Sequence, residues 1–501
     1  MGASQEKKKR QEMKQSGADT RKEKQLQMEL QKKRARRRNT IIGTIVVIVL
    51  IAVLVLNSTL FYTGVPALTI GDKQYTVADF NYYYYTAYHT TYQNLYQFYG
   101  ESIVQFLDTR RPLKDQMYDD TRTWADYFEE IALNNMQETT LLCEAAKKAG
   151  LTLTEEDIEN IDKTMEGIKN NYSAYGYASL ASFFAGAYGK GVNEKNFRQN
   201  LENDYLANLY VQDMLKKMEF SEKELNDYYN ERKDQYDLLT FRRYYVSGSA
   251  DEDKGIDSET AMANAKETAE AIAVAKSEQE FNDLVYKYVP DDRKDSYADG
   301  EATLYKNTSP SNLIEEHAEW LLDEARAEGD TTVIEASSGY YVLYFIGRND
   351  NSYNTINVRH ILVPIENSDE ESDKIAKEKA EALLKVWRGG EATEESFAEL
   401  AKINSTDGSA SNGGLYENVA LGQMVKEFED WCFDEARKPG DTGIVKTQYG
   451  YHVMYFSGYG EPYRLLIAKS AMQNEEYKNW LEEQKPNFEI SKKFAMKFAK
   501  K

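Results

Sequence analysis

The sequence has few of the residues that build metal centres and disulfide frameworks. It contains two cysteines, Cys143 and Cys432, and four histidines in 501 residues. This count excludes a disulfide framework and a cysteine-based zinc site, and it leaves little for a histidine-rich metal centre. We therefore expect no metal and no cofactor, and we interpret both cysteines as buried free thiols. Proline is also scarce, with 8 residues beside 38 tyrosines, so the chain is rich in amphipathic rings.

The charge is divided unevenly along the chain. Residues 1–38 hold 14 Lys/Arg and 5 Asp/Glu, which leaves 48 Lys/Arg and 78 Asp/Glu for the remainder. A basic end on an acidic body predicts a partition across a membrane rather than a nucleic-acid-binding fold. We expect no nucleic acid among the partners.

An apolar run separates the two charge regions. No charged residue occurs from Asn39 to Gly71, and Ile41–Leu56 reads IIGTIVVIVLIAVLVL. As a helix, Thr40–Tyr62 would reach about 34 Å, which is enough to cross a bilayer core of about 30 Å. The length predicts one membrane-spanning segment, at residues 39–63, with Phe61 and Tyr62 at the membrane surface.

The basic flank sets the expected orientation. Positive charge before the apolar run places the arm, residues 1–38, in the cytoplasm and the acidic bulk outside. The arm has almost no apolar residues, so we expect it to be disordered or weakly helical. An uncleaved signal anchor in the cell membrane is favoured over a cleaved signal peptide, because the run is long and VLNSTLFYTG offers no clear cleavage site.

Residues 70–236 have the pattern of a helical lobe. Thr154 opens TEED and Ser221 opens SEKE, and both fit the capping box that begins a helix. The stretch NYYYYTAYHTTYQNLYQFYG concentrates tyrosines within one predicted helix. These rings fit a helical core with aromatic edges, and they also fit a cradle for unfolded chains, since each ring offers apolar area and a polar tip.

An internal repeat follows the lobe. Asp323–Phe345 reads DEARAEGDTTVIEASSGYYVLYF and Asp434–Phe456 reads DEARKPGDTGIVKTQYGYHVMYF, and the two segments align from end to end without a gap. Each copy begins with a short strand and continues through two helical segments. The pattern predicts two tandem α/β domains, at residues 240–348 and 355–458.

The second copy contains a group of residues with chemical potential. His360 and His452 lie mid-strand near opposite ends of the domain, and an acidic loop and an apolar patch lie between them. These residues lack the arrangement of a hydrolase, because no nucleophile has a base at fixed spacing. Metal binding is also weakly indicated, since no HxH or HxxxH pattern is present.

VRHILV, FAELAKINSTDGSASNGGLY and GQMVKEFEDWCFDEARKPGDTGIVKTQYGYHVMYF occur in this order within the second copy. Together they resemble a parvulin-type (PpiC-like) peptidyl-prolyl cis-trans isomerase domain over residues 355–458. The membrane-proximal helices, the junction SEKELNDYYNERKDQY and the C-terminal YKNWLEEQKPNFEI resemble the SurA/PrsA-type foldases more loosely. That resemblance implies that residues 463–501 pack with the helical lobe as one chaperone unit.

The resemblance also implies which residues form the site. The catalytic positions are His360, Asp407 and His452. The substrate-binding positions are Gln423, Met424, Phe428 and Thr447. Met424 and Phe428 match the residues that hold the proline ring, and Thr447 matches the threonine that bonds to the histidine pair. One departure is that the usual GGDLG-like loop reads GGLY at Gly413–Tyr416.

Two mechanisms are open at these positions. Rotation about an X–Pro bond has a barrier of roughly 18–20 kcal/mol from amide resonance, and a pocket that favours the twisted amide would lower it. Alternatively, Asp407 would attack the carbonyl as a nucleophile.

The first copy lacks the implied site. Tyr341 stands in the place of His452, His317 in that of Phe428 and Leu313 in that of Met424, while Arg243 or Tyr244 replaces His360. We interpret this copy as a scaffold or peptide-binding spacer, and His317, in the acidic segment EEHAEW, as a surface residue.

The sequence thus predicts an α+β, multidomain, membrane-anchored foldase outside the cytoplasm. Its partners would be unfolded or newly exported polypeptides with X–Pro bonds, and the lipid bilayer through residues 39–63. The main alternative is a non-catalytic extracytoplasmic chaperone or peptide-binding protein. A third reading is an adhesin or envelope scaffold that reuses both folds.

Overall fold

The chain divides into two units. The computed structural model describes residues 2–250 and 255–500. One unit runs through Met218 and resumes at Tyr477, and the other comprises Glu219–Glu476. The first contains the helical lobe and the second contains two small antiparallel sheets, which confirms an α+β, multidomain chain.

The first unit is mainly helical. Its helices are α1 (Ala3–Asn57), α2 (Thr59–Gly64), α3 (Val77–Tyr99), α4 (Trp124–Lys148), α5 (Glu155–Asn171), α6 (Leu180–Ala187) and α7 (Glu194–Lys217). Thr154 caps α5, since its hydroxyl accepts from the Asp157 N–H while the Asp157 carboxylate accepts from the Thr154 N–H. The predicted capping box is therefore confirmed at this position.

The basic arm and the apolar run form one continuous helix, α1. The arm was expected to be disordered or weakly helical, and it is helical because Ala, Gln, Glu, Lys and Arg are strong helix formers. Within α1, Met28–Leu56 is long and apolar enough, by length and composition, to cross a membrane.

Phe61 and Tyr62, expected to face the membrane surface, are buried in the core of the lobe. The backbone turns away from α1 at the extended residue Ser58, and both rings lie in α2, where they are 5% and 3% exposed. The ring of Phe61 packs edge-on against Phe498, with centroids 5.0 Å apart. The apolar run therefore ends near Leu56, and the next aromatic residues belong to the core of the lobe.

The tyrosines of α3 serve mainly as core residues. Tyr82, Tyr83 and Tyr84 are each at most 5% exposed. The hydroxyls of Tyr82 and Tyr83 donate to the carboxylate of Asp204 in α7, at 2.8 and 3.1 Å. Burial of Tyr82 and Tyr83 is possible because their hydroxyls share one carboxylate acceptor.

A small sheet joins the end of the chain to the start of the lobe. The strands β1 (Pro66–Ile70) and β2 (Lys73–Thr76) form a hairpin. The C-terminal strand β11 (Ile490–Lys492) pairs antiparallel with β1, and Ala495 and Met496 enter the lobe core beyond it. The terminal segment thus completes the first unit.

The second unit contains the repeat. Its strands are β3 (Leu238–Ser247), β4 (Leu304–Thr308), β5 (Thr331–Ala336), β6 (Gly339–Asn349), β7 (Asn354–Val363), β8 (Leu415–Val419), β9 (Thr442–Thr447) and β10 (Gly450–Pro462). Its helices are α8 (Glu222–Glu231), α9 (Lys233–Tyr236), α10 (Ser258–Ile272), α11 (Glu278–Tyr288), α12 (Glu315–Leu322), α13 (Glu370–Gly389), α14 (Glu394–Asn404), α15 (Lys426–Cys432) and the first part of α16 (Tyr463–Gln484).

The two sheets have the same plan. The first has the strand order β4–β3–β6–β5, and the second has the order β8–β7–β10–β9. A framework contact also repeats, because the guanidinium of Arg326 lies 4.0 Å from the ring centroid of Trp320 and that of Arg437 lies 4.0 Å from Trp431. The predicted repeat is confirmed in topology and in side-chain detail.

The strand register assigns the residue that replaces His360. His360 pairs with Met454 across β7 and β10, and Arg243 pairs with Leu343 across β3 and β6. Leu343 and Met454 occupy the same position in the aligned segments YYVLYF and YHVMYF. Because their strand partners then correspond as well, Arg243 is the counterpart of His360, and Tyr244 is not.

Candidate active site

The two histidines of the second copy meet on adjacent strands. His360 lies in β7 and His452 in β10, and both are buried, at 2% and 5% exposure. Their Nδ1 atoms are 3.0 Å apart, and the rings stack with centroids separated by 5.2 Å. The two imidazoles thus form a direct hydrogen-bonded pair in the sheet.

Asp407 completes this pair from the loop after α14. Its Oδ1 lies 3.1 Å from Nε2 of His360. The same oxygen accepts from the N–H and hydroxyl of Ser409, at 2.8 and 2.5 Å, and from the hydroxyl of Tyr416 at 2.9 Å. The hydrogen bond from His360, followed by those from Ser409, holds the pKa of Asp407 well below its usual range. The carboxylate is therefore ionised at neutral pH.

The hydrogen bonds of the site form one chain. A carboxylate only accepts, so Nε2 of His360 carries a hydrogen and donates to Asp407. Nδ1 of His360 shares a hydrogen bond with Nδ1 of His452. Nε2 of His452 shares a further hydrogen bond with the hydroxyl of Thr447, at 2.9 Å. The chain thus runs without a break between Thr447 and Asp407 through both imidazoles.

Burial of His452 should make stability depend on pH. Burial, followed by the nearby His360, lowers the pKa of His452 to about 4, against about 6.5 in an unfolded chain. The unfolded chain therefore binds more protons between these values, so this contribution is complete above pH 6.5 and is lost as the pH falls towards 4. We expect His452→Gln to remove up to about 2 kcal/mol of this dependence, measured as urea unfolding at pH 7.5 and 5.0. Identical pH dependence in both proteins would contradict the assignment.

An apolar cluster adjoins the imidazole pair. Phe428 of α15 is 2% exposed, and its ring meets both imidazole rings edge-on, with centroids 5.4 Å away in each case. Met424 is half-buried against the same cluster, which also contains the buried free thiol of Cys432. Burial raises the pKa of that thiol to about 12, so it is inert at neutral pH. The amide oxygen of Gln423 accepts from the Ala420 N–H at 2.9 Å, and this hydrogen bond holds the turn that precedes Met424.

Gly414 fixes the start of the strand that carries Tyr416. Gly414 has φ +71°, and a Cβ there would lie 2.2 Å from the carbonyl oxygen of His360. The close approach lets the Gly414 carbonyl accept from the His360 N–H at 2.9 Å. Only glycine combines this backbone conformation with this contact.

Replacing Gly414 should disturb the site through the backbone. We expect Gly414→Ala to lower the free energy of unfolding by at least about 2 kcal/mol, from left-handed strain together with the clash. Gly422→Ala is the matched control, because Gly422 has φ +84° with nothing within 4 Å of its Cβ position. Urea unfolding of both variants separates the clash from the strain, and equal losses would contradict the role of the contact.

Two site residues were missed in the sequence. Ser409 and Tyr416 both donate to Asp407, and the Tyr416 ring stacks on His360 with centroids 5.2 Å apart. Ser409 lies in the segment between α14 and β8, where hydroxyl side chains follow no periodic pattern, and Tyr416 lies in the short strand β8. The repeat could have indicated Tyr416. When the alignment of the two copies is continued towards the N-terminus at the same offset, Tyr416 aligns with Tyr305 of the first copy. Within the ranges 2–250 and 255–500, no group of three or more His, Cys, Asp or Glu could hold a metal ion.

The first copy differs from this arrangement, and one prediction about it is wrong. His317 is not a surface residue, since it is 0% exposed and packs against the ring of Tyr341, with centroids 4.6 Å apart. Its helix, α12, turns the charged neighbours outward and places the imidazole in the interior. The first copy therefore has an imidazole where the second has the phenyl ring of Phe428.

Comparison with known proteins assigns the second copy. Residues 341–457 match the family model described as the PPIC-type PPIASE domain. The match begins in the last strand of the first copy, covers β7, β8 and β9, and ends within β10. It includes every residue of the hydrogen-bonded chain described above.

Relatives extend the likeness to further parts of the chain. The protein is 33% identical over 185 residues to Foldase protein PrsA 1 of Listeria innocua, covering 36% of this chain and 52% of the relative. It is 25% identical over 336 residues to Chaperone SurA of Nitrosospira multiformis, covering 65% of this chain and 70% of the relative. The chain thus spans about half the length of the PrsA relatives it matches.

A solved structure of a PrsA protein also matches part of the chain. The crystal structure of PrsA from Bacillus subtilis is 20% identical, with 59% of this chain and 86% of that chain covered, at a TM-score of 0.19. A score this low does not establish a shared overall arrangement. The family model and the sequence relatives together show that this chain carries a PPIC-type, parvulin peptidyl-prolyl isomerase domain and is a homologue of the PrsA foldases and SurA chaperones.

Proposed function

We propose that this protein is a peptidyl-prolyl cis-trans isomerase and chaperone that assists exported proteins outside the cytoplasmic membrane. The observation that carries the proposal is the hydrogen-bonded chain from Thr447 to Asp407 beside the ring of Phe428, within a PPIC-type domain. The names of the relatives, foldase and chaperone, support the same class of activity.

The chemistry requires no covalent step. A planar amide places negative charge on its oxygen through resonance, and this charge falls as the X–Pro bond twists. An ionised carboxylate near that oxygen disfavours the planar form and so favours the twisted one. Asp407 would supply this charge, and the two imidazoles would hold it in position.

The apolar pocket would hold the proline ring while the bond turns. Phe428 and Met424 belong to one apolar cluster next to the imidazole pair. With the proline ring held there, the residue before it can rotate about the X–Pro bond. Phe428 and Met424 would thus bind the ring, while Asp407 would act on the carbonyl through its charge.

Nucleophilic attack by Asp407 is the less favourable mechanism. Its Oδ1 already accepts from Ser409, Tyr416 and His360, and these bonds stabilise the anion. The lowered pKa of Asp407 likewise indicates a weakly basic carboxylate. These contacts support a fixed charge rather than an attacking group.

The helical lobe supports a separate chaperone role. A cavity of about 560 Å³ in the first unit is lined by Tyr84, Tyr85 and Tyr88, together with Pro112 and Leu113. Tyrosine rings that line an open cavity suit apolar segments of varied sequence, because each ring also offers a hydroxyl. The tyrosines of α3 would thus combine the two readings made from the sequence, as core and as cradle.

One pair of assays tests enzyme against binding protein. The full chain in detergent micelles should speed the isomerisation of an X–Pro bond in a short peptide, measured by a protease-free solvent-jump assay. It should also suppress aggregation of an unfolded client. A chain that binds proline peptides without speeding isomerisation would favour the non-catalytic chaperone instead.

We also propose that the chain crosses the cell membrane once, with residues 1–38 in the cytoplasm. The support is the apolar segment Met28–Leu56 in α1 and the charge step before it. Protease added to intact cells without walls should digest everything beyond about residue 65. Protection of the acidic body with loss of the basic arm would reverse the orientation, and release of a form that starts near residue 60 would indicate signal cleavage.

A further inference from the structure

The first copy has a cation where the second copy has its histidine pair. Arg243, the counterpart of His360, is half-buried in β3. Its guanidinium carbon lies 4.4 Å from the ring centroid of Tyr305 and 5.6 Å from that of Tyr341. The two rings hold the guanidinium at the strand position that His360 occupies in the second copy.

This guanidinium is poorly satisfied by the protein. One of its five N–H groups is accounted for, by a 2.7 Å hydrogen bond from Nη2 to the hydroxyl of Tyr305. No carboxylate of residues 2–250 and 255–500 forms an ion pair with it, although the neighbouring Arg242 pairs with Glu278. In the second copy the equivalent tyrosine, Tyr416, bonds a carboxylate. The charge at this position is therefore inverted between the copies.

His317 adds a second unsatisfied group at the same place. It is 0% exposed, and neither Nδ1 nor Nε2 has a hydrogen-bond partner among the described residues. Burial, followed by the positive charge of Arg243, lowers the pKa of His317 to about 4, so the ring is neutral at pH 7. A neutral imidazole has one donor and one acceptor, and burying both unpaired is unfavourable unless a ligand meets them.

We propose that the first copy is a binding site for peptide segments that carry a carboxylate, with Arg243 as the anion anchor and His317 as a further donor. A guanidinium binds a carboxylate through two parallel hydrogen bonds, which suits a half-buried position with free N–H groups. The first copy has the imidazole of His317 where the second copy has the phenyl ring of Phe428, so this position is suited to a polar group rather than to a proline ring. That the ligand is a peptide rests on the proposed function of the second copy.

The carboxylate could come from an Asp or Glu side chain or from a chain terminus. Two pairs of labelled peptides distinguish these sources. The first pair differs by Glu against Gln at one internal position, with both C-termini amidated. The second pair differs only by a free or an amidated C-terminus. Fluorescence anisotropy with the full chain gives the affinity ratio within each pair.

In one of the two peptide pairs, we expect the peptide with the carboxylate to bind at least about tenfold more tightly. This is the affinity gain that a hydrogen bond to a charged group provides. Arg243→Gln should remove this preference. Arg293→Gln should keep it, because Arg293 is an exposed arginine of the same copy and its replacement changes the charge equally. His317→Phe should raise the urea midpoint, since it removes two unpaired atoms, and should reduce the preference several-fold.

Three results would overturn the proposal. Absence of any carboxylate preference in the wild-type chain removes the site. A preference that survives Arg243→Gln as well as it survives Arg293→Gln places recognition elsewhere. An unchanged preference in His317→Phe excludes His317 as a donor. None of these measurements follows isomerisation, so their failure and the failure of the isomerase proposal are distinguishable.

Discussion

Replacing Asp407 with Asn should lower the rate of proline isomerisation by at least about tenfold. At about 4 Å and an effective dielectric constant of about 20, a carboxylate acts on about a third of a unit charge with about 1.4 kcal/mol, which is tenfold in rate. Asn keeps the size of the side chain and removes its charge. The loss should appear in kcat/KM for an X–Pro peptide, measured with the full chain.

Asp434→Asn is the matched control for this experiment. Asp434 is an exposed carboxylate of the same copy, and it pairs with Arg437 at 3.5 Å, outside the site. It should leave the isomerase rate unchanged. Urea unfolding of both variants measures the accompanying loss of folding stability. We expect a loss in Asp407→Asn, because the hydrogen bonds to the Asp407 anion stabilise the folded chain. A variant with wild-type activity would exclude the charge of Asp407 from the mechanism.

The same variant separates the two proposed activities. If aggregation of an unfolded client is suppressed equally by the wild-type chain and by Asp407→Asn, suppression does not require isomerisation. The tyrosine-lined cavity of the first unit then becomes the expected surface for clients. Joint loss of both activities would favour one shared site.

The repeat made much of the second unit predictable from sequence. The offset is constant and gapless only from β4 and β8 onward, where the strands and turns of the two copies have matching lengths. The helices before this part differ in length and spacing, yet the two sheets share one strand order. Capping boxes were equally reliable, because a capping box is a local hydrogen-bond pattern that does not depend on distant residues. Asp407 was different, since its residue type and loop position alone favour a turn, and only the family resemblance implied its role.

Local sequence patterns did not predict which residues are buried against distant parts of the chain. His317 follows two glutamates, and its interior position depends on Tyr341, which lies on a separate strand further along the chain. Phe61 was expected at a membrane surface, but its partner Phe498 lies at the other end of the sequence. An apolar ring is equally suited to lipid and to a protein core, so hydropathy does not separate the two environments.

The comparison of the two copies suggests a division of labour. The framework pairs of Arg and Trp are kept in both, at Trp320 and Trp431, while the residues at the positions of the candidate site differ. The second copy combines a carboxylate with a pair of imidazoles, and the first combines a guanidinium with a single imidazole. One scaffold thus presents two electrostatic environments, and peptide segments of different chemistry would be sorted between them.

Replacing Phe428 with Ala should abolish most of the isomerase activity, by about a hundredfold, and should cost about 3–5 kcal/mol of stability. Phe428 is almost fully buried and contacts both imidazole rings. Its loss therefore removes the wall of the ring pocket and the packing that orients the histidine pair. Activity should be measured at low temperature, with near-UV circular dichroism to establish that the variant is folded.

Leu321→Ala separates the catalytic effect from the thermodynamic one. Leu321 is 1% exposed in the first copy, so its truncation should cost about 2–5 kcal/mol without touching the second copy's pocket. Met424→Ala provides a milder change within the pocket, because Met424 is half-buried, and it should still lower activity about tenfold. If Leu321→Ala impairs isomerisation as strongly as Phe428→Ala does, activity follows global stability and the ring-pocket assignment fails. If both pocket variants bind proline peptides normally and only catalysis is lost, the pocket acts on the twisted amide rather than on the ground state.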